Sequence, residues 1–421
     1  MTEMFEQRNS VELAAVQTIS HTHDQVTSAG DGVRRIVALD GLRGVAAIMV
    51  LLHHALLMLS QFANYEWYSS VPPHISFGEF LLLRTPLRLI WAGQERAIMF
   101  FVLSGFVLCL PWLSGKPQSY GGFLLGRFCR IYPPYIAAMA LAALASVFIG
   151  GHVLPKASIY FNQLGWAHHL DAGTLPSILL VLTNHHSDYI NEAVWSLTWE
   201  VRVAILFPLL MLPILRWRNM GAAQVYLSLF LLGQAGWHLL RAHPDFAQLL
   251  GNGFRYTGCF VLGTVIAMNR VKIGEWFGRH HSAFGWLCLT LGLGICWAPW
   301  PHFRDDIVGI GAALLIVAII GTVSLRKWLA KDHWLWLGRQ SYSLYLIHVP
   351  VVMGTVILYG GKVPPLACLS VIPVSIVLAQ IFHLHVELPS VMLAQKAASY
   401  QRKRIMVAVT SLQPPSTRIS S

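Results

Sequence analysis

The segment ALDGLRGVAAIMVLLHHA, residues 38–55, decides the reading of the whole chain. It is apolar enough to belong to a membrane span, which needs about 20 such residues. Yet it carries Arg43, His53 and His54. Ionisable groups inside a span are costly and point to function. At 100° per residue, Arg43 and His54 fall within about 20° of each other on one helix face, with an axial rise of about 16 Å between them. His53 points about 80° away from Arg43. The plain alternatives are an Arg43 that snorkels to the interface beside Asp40 and a His54 that only packs.

Composition extends this reading to the full length. The chain has 421 residues, 55% hydrophobic and 12% charged, with a mean hydropathy of +0.55. A soluble domain carries about 25% charged residues, so there is too little polar sequence to coat the two or three soluble domains that the length suggests. Disorder, collagen, coiled coil and disulfide-rich modules are excluded as well. The expected fold is an all-α polytopic membrane protein of about ten transmembrane helices. Ten apolar segments are centred on Leu42–Leu59, Met99–Trp112, Tyr135–Ile149, Val201–Leu215, Val225–Leu240, Tyr256–Met268, Phe284–Trp297, Ile307–Val323, Tyr342–Tyr359 and Leu366–Val386. An eleventh run, Leu175–Thr183, is too short to span and suits an interfacial or re-entrant piece. Residues 1–35 are expected to be a disordered cytoplasmic tail, 36–390 the membrane domain and 391–421 a basic cytoplasmic tail.

An even number of spans puts both termini on one side. With the termini inside, inner segments hold 21 of the 30 Lys and Arg and outer loops hold seven. This bias places both termini in the cytoplasm. The net charge of +11 lies in short clusters between apolar runs, so it reads as topology signal, and no nucleic-acid partner is expected. None of the six cysteines forms a CxxC pair, which gives neither a disulfide framework nor a zinc site. The longest outer loop, residues 150–194, holds His152, His168, His169, His185 and His186. Their spacing matches no metal motif, and no metal site is expected.

Further polar residues recur inside or beside the apolar runs. The third span opens with GRFCRIYPPY, in which Arg127 and Arg130 share a helical face. With Arg43 they make three arginines at the cytoplasmic mouth, and guanidinium groups bind phosphate in a fork. The second span has Ser104 and Gly105 at mid-run, either to pack closely or to line a substrate path. Glu200 opens the fourth span and is expected near the outer surface, where it can pair with a basic group or act as an acid or base. His348, on the ninth span, can face His54 or bond a carbonyl. A phosphate-binding mouth below a buried histidine suits a coenzyme A thioester, with its phosphate handle and thin arm. Neutral His54 can then take a proton from an attacking hydroxyl, or carry the acyl group itself.

These residues resemble the acyltransferase type 3 family of integral-membrane O-acyltransferases. The resemblance rests on five motifs in order across about residues 36–390. They are Arg43 with His54, Phe100 to Phe106, Arg127 with Arg130 and Pro133, Trp195 to Glu200, and Ser341 to Leu346 followed by His348. It implies ten spans and acyl transfer, acetyl in the usual case, from cytoplasmic acyl-CoA to hydroxyls of cell-surface glycans or glycolipids. It also implies His54 as catalytic and Arg43, Arg127 and Arg130 as donor-binding. Glu200 is expected to be catalytic too, with Ser104 and His348 against substrate. After Glu200 the family commonly has Glu or Trp, Gln and then Phe-Tyr, whereas this chain has Val201, Arg202, Val203 and Ala204. Larger relatives carry a C-terminal SGNH-type domain, and none is expected here. Expected partners are acyl-CoA, a glycan or lipid-linked acceptor and membrane lipids, in a bacterial inner membrane, with no permanently bound cofactor. The oligomeric state stays open. Competing readings are a transporter or flippase, a macrolide-type acyltransferase, and a biogenesis subunit whose polar spans serve assembly.

Overall fold

The computed structural model describes residues 36–411, apart from 69–74, 116–118, 168–175, 177–178, 183–188, 241, 281, 299 and 301–303. Residues 1–35 and 412–421, the histidines 168, 169, 185 and 186, and much of the short run at 175–183 lie outside the described residues.

The described residues form helices and no strand. In chain order the α-helices are α1 (Val37–Leu57), α2 (Ser60–Tyr68), α3 (Phe77–Arg84), α4 (Gly93–Leu113), α5 (Tyr120–Ile149), α6 (Ile159–Leu164), α7 (Val194–Leu239) and α8 (Pro244–Arg279). They continue as α9 (Ala283–Trp297), α10 (Arg304–Gly321), α11 (Val323–Leu329), α12 (Asp332–Arg339), α13 (Ser341–Leu358), α14 (Pro365–Phe382) and α15 (Leu388–Ser411). A π-helical turn, His383–Glu387, joins α14 to α15.

Among the described residues six helices, or seven counting one bent pair, are long and apolar enough to cross a membrane. The centre of each of the ten expected segments lies on a helix, and the smaller count has physical causes. Helix α7 contains two expected segments. Its backbone breaks at Arg218 (φ 54°, ψ −127°), and the chain reverses so tightly that a Cβ on Gly221 would overlap the Pro213 carbonyl oxygen. Helix α9 has only 15 residues. Helices α10 and α11 meet at a 98° bend. Charged residues such as Asp245, Arg255, Arg270 and Lys272 are spread along helix α8 and interrupt its apolar character.

Helix α1 lies at the centre. Thirteen of its 21 residues are buried. Ala47, Leu51 and Ala55 join one core with α5, α6, α13 and α14, while Ala38, Leu42 and Ala46 join a second with α4, α7, α8 and α10. Outward faces are apolar. Leu144 and Phe148 of α5, Leu209 and Leu212 of α7, and Leu366 and Leu369 of α14 are all exposed. A bundle that is apolar both inside and on its outer faces is built for lipid rather than water.

Close helix crossings depend on small residues. At the α4–α8 crossing a Cβ on Gly105 would overlap the Phe260 carbonyl oxygen, and one on Gly263 would overlap that of Val102. The Thr264 hydroxyl donates to the Phe260 and Gly105 carbonyls across the same contact. Gly105 is therefore a packing residue, next to a serine that is not. Gly105→Leu forces α4 and α8 apart and is expected to destabilise the protein by about 1–3 kcal/mol, read as a lowered midpoint in thermal unfolding of the purified protein.

Candidate active site

Two polar clusters flank α1, one at each end. The first surrounds His54. This residue lies in the last turn of α1 rather than at mid-helix, because the helix stops at Leu57, whose carbonyl is capped by the Ser158 hydroxyl at 2.6 Å. His348 of α13 faces it. His348 Nδ1 bonds the Leu344 carbonyl at 2.9 Å, and its Nε2 lies 3.1 Å from His54 Nδ1. A ring nitrogen bonded to a carbonyl must carry the hydrogen. Neutral His348 therefore holds its proton on Nδ1 and accepts through Nε2, which makes His54 Nδ1 a donor. That donor is shared with the Val50 carbonyl at 2.9 Å. The second nitrogen of His54, Nε2, is thus the basic one. It faces Glu192 Oε2 at 3.6 Å, and Tyr160 packs beside the ring with centroids 5.9 Å apart. His53 turns elsewhere, as its helical angle requires, and its Nδ1 bonds the Trp91 carbonyl at 2.8 Å.

Glu192 sits just before α7, in a loop with no helical register. Burial pushes its carboxyl up, and the close approach and charge of His54, with the charge of His53, outweigh burial and hold it below the usual carboxylate range. Sequence reasoning missed Glu192. The available signal was its place three residues before Trp195, and no periodicity ties that place to His54.

The second cluster lies towards the start of α1. Arg127 Nη2 is 3.6 Å from Glu200 Oε1, and the Ser104 hydroxyl donates to the same oxygen at 3.3 Å. The charges of Arg43 and Arg130 both act on Arg127, so the three expected arginines do converge. The buried Arg127 Nε has no hydrogen-bond partner among the described residues. An orphaned guanidinium N–H is costly unless a ligand oxygen meets it. The expected place of Glu200, near the outer surface above His54, needs correction. Helix α7 runs from the Glu192 loop towards the arginines, and six residues along it, about 9 Å, Glu200 has reached their level.

The arginine segment is held by an exchange of hydrogen bonds. Pro133 and Pro134 cannot donate to the carbonyls of Cys129 and Arg130, four residues back. The Ser390 hydroxyl of α15 donates to both instead. Tyr342 of α13 donates to the next carbonyl, Ile131, at 2.9 Å. Nearby, Glu387 in the π-helical turn is 3% exposed and receives the Ser343 hydroxyl at 2.6 Å and His383 Nδ1 at 2.8 Å. The fields of Glu200, Glu387 and Arg130 all reach Tyr342. Sequence reasoning did not single out Glu387, because a π-turn leaves no periodic mark.

The geometry brings His54 and His348 together at one end, and Arg43, Arg127, Arg130, Ser104 and Glu200 at the other. His152 is exposed and belongs to neither. A cavity of about 540 Å³ opens beyond the arginine end, between Val37, Arg270, Glu275 and Arg326, and contains none of these residues.

Comparison with known proteins adds a family. A family model described as an acyltransferase domain matches residues 36–384. A peptidoglycan O-acetyltransferase, OatA, of Listeria monocytogenes is 24% identical over 353 residues, which is 75% of this chain and 49% of that protein. Protein 2 in the picA locus of Rhizobium radiobacter is 36% identical over 124 residues, 28% of this chain and 49% of that protein. The chain thus spans about half the length of the curated relatives it matches. No solved structure matches.

Ser390→Ala removes the hydroxyl bonded to the Cys129 and Arg130 carbonyls and lets the Arg127–Arg130 segment shift. The expected result is a loss of about 1–2 kcal/mol of stability, measured by thermal unfolding, with Ser390→Thr retaining most of it.

Proposed function

This chain belongs to the acyltransferase-domain family and is an acyltransferase, and from that membership we propose that it moves an acyl group, acetyl in the simplest case, from cytoplasmic acyl-CoA to a hydroxyl of a cell-surface glycan or glycolipid. The proposed topology has ten crossings with both termini in the cytoplasm, in a bacterial inner membrane. The excess of Lys and Arg on the inner segments supports it. The similarity to a peptidoglycan O-acetyltransferase supports a glycan acceptor.

One observation carries the reading. A buried histidine with a basic nitrogen stands on the same helix as Arg43, about 16 Å along it, and Arg127 and Arg130 of α5 join Arg43 at that far end. In the proposed reaction Arg43, Arg127 and Arg130 hold the phosphates of the donor, and the thioester reaches along α1 to His54. The acceptor hydroxyl gives its proton to His54 Nε2 as its oxygen attacks the thioester carbonyl. The C–O bond forms, the C–S bond breaks, and the sulfur leaves as a thiol with the proton returned by His54. His348 keeps His54 in the tautomer that has Nε2 free. Glu200 and Ser104 orient Arg127, so they serve donor binding rather than proton transfer.

The test uses purified protein in nanodiscs with radiolabelled acetyl-CoA. Wild type should bind the donor saturably and turn it over. His54→Ala should still bind it and lose turnover by about 10²- to 10⁴-fold. Arg130→Ala should lose binding. Glu200→Gln should raise the KM for the donor and leave the pH dependence of the rate unchanged. Turnover retained in folded His54→Ala would overturn the mechanism. Substrate flux without any acyl-CoA would favour a transporter.

A further inference from the structure

His54 Nε2 and Glu192 face each other at a distance longer than a hydrogen bond and within reach of an ion pair. The Glu192 Oε2 atom is buried, 3.6 Å from His54 Nε2, and has no hydrogen-bond partner among the described residues. The Tyr160 hydroxyl, on a residue that is 0% exposed, has none either, although the Glu192 carboxylate acts on it electrostatically. Three polar groups thus lie together, with Glu192 interacting with both Tyr160 and His54 but at separations longer than an ordinary hydrogen bond. Leaving a buried polar group unpaired costs about 1–3 kcal/mol each. Folding alone gives no reason to gather several of them.

Their alignment has a chemical consequence. In neutral His54 the Nε2 atom presents a lone pair to a carboxylate oxygen, which is unfavourable. Once a proton reaches Nε2, the same contact becomes an ion pair in a water-poor site. An interaction that improves only as charge develops accelerates the reaction, whereas one already made in the ground state does not.

The loop that carries Glu192 is held rigidly enough for this role. The Trp166 indole N–H donates to the Ile190 carbonyl at 2.9 Å. Asn191, fully buried, donates to the Leu346 carbonyl of α13 at 2.8 Å. The Tyr345 hydroxyl, also on α13, donates to the Ala193 carbonyl and is hydrogen-bonded to the Ser196 hydroxyl at 2.7 Å. Glu192 is thus clamped on both sides to the helix that supplies His348.

We propose that Glu192 is a positioning residue that pairs with the imidazolium formed on His54 Nε2 when the attacking hydroxyl gives up its proton there. The proposal rests on His54 as the base of the reaction. The acceptor's proton moves to His54 Nε2, Glu192 stays a carboxylate throughout, and the proton later leaves with the thiol. Other titratable groups around the pair are His53 on α1, His348 on α13 and Tyr160 on α6, with the charge of Glu66 on α2 acting on His53.

The test reads the pairing without any substrate. Diethylpyrocarbonate labels neutral imidazole, and mass spectrometry of the α1 peptide separates His54 from His53. In full-length protein in nanodiscs, Glu192→Gln should move the labelling curve of His54 to lower pH, with about 3- to 10-fold faster labelling at pH 6. Glu192→Asp should lie between Glu192→Gln and wild type. In the transferase assay, Glu192→Gln should lower kcat by about 10- to 100-fold, shift the acid limb of the pH–rate profile to lower pH, and leave the KM for acetyl-CoA within about twofold. Coincident labelling curves for wild type and Glu192→Gln would overturn the pairing. So would a kcat loss with no movement of the acid limb, which is the sign of a merely structural residue. A wild type that never consumes acyl-CoA, combined with a shifted labelling curve, would overturn the donor reading and leave the pairing standing.

Discussion

The hydrogen bond between His54 and His348, buried between α1 and α13, is the contact on which the rest of the site depends. Neither ring is exposed enough for water to meet its nitrogens, so every ring nitrogen must be accounted for within the protein. The carbonyls of Leu344 and Val50 fix one tautomer on each ring. That chain of constraints leaves a single basic nitrogen, His54 Nε2, pointing away from both helices. A backbone feature, the carbonyl four residues back in each helix, thus becomes a chemical one. The clamp of Asn191 and Tyr345 onto the same α13 then brings the Glu192 loop to that nitrogen.

The arginine end follows a different logic. Three like charges near one another repel. Glu200 offsets one of them at 3.6 Å, and the segment is kept in place by Ser390, which bonds the two carbonyls that its own prolines leave without a helical donor, and by Tyr342 on the next carbonyl. The orphaned Arg127 Nε marks where the protein's own partners run out. In the proposed reading, a donor phosphate is the group that would supply the missing acceptor and negative charge together. The distance along α1 between the two ends would suit the proposed donor, with its charge at one end and its reactive carbonyl at the other.

Much of this was legible in the sequence, and the boundary follows periodicity. Arg43 with His54, and Arg127 with Arg130, lie on regular helices, where spacing alone sets the shared face. His348 facing His54 was one of two readings, and the structure contains both, the facing ring and the carbonyl bond. Glu200 could be read as a residue seeking a basic partner, but its level could not, because nothing local tells how far α7 has descended when it passes the arginines. Glu192 and Tyr160 were hidden for a stronger reason. They come from a loop and a six-residue helix, whose positions are set by bonds to distant carbonyls. Glu387 lies in a π-turn, where one extra residue breaks the register that a helical reading assumes. The span count shows the same limit, since a reversal at Arg218 and a bend at Thr322 are backbone events with no signature in hydropathy.

The central claim is that one substrate bridges the two ends of α1, with its charge at the arginines and its reactive carbon at His54. Cryo-electron microscopy of the protein in nanodiscs with a ketone analogue of acetyl-CoA, in which the thioester sulfur is followed by a methylene, tests this directly. The account predicts phosphate density against Arg43, Arg127 and Arg130 and the keto carbon beside His54 Nε2. Phosphates bound at the Glu192 end, or an analogue lodged in the cavity by Arg270 and Arg326 with its tip away from His54, would contradict it.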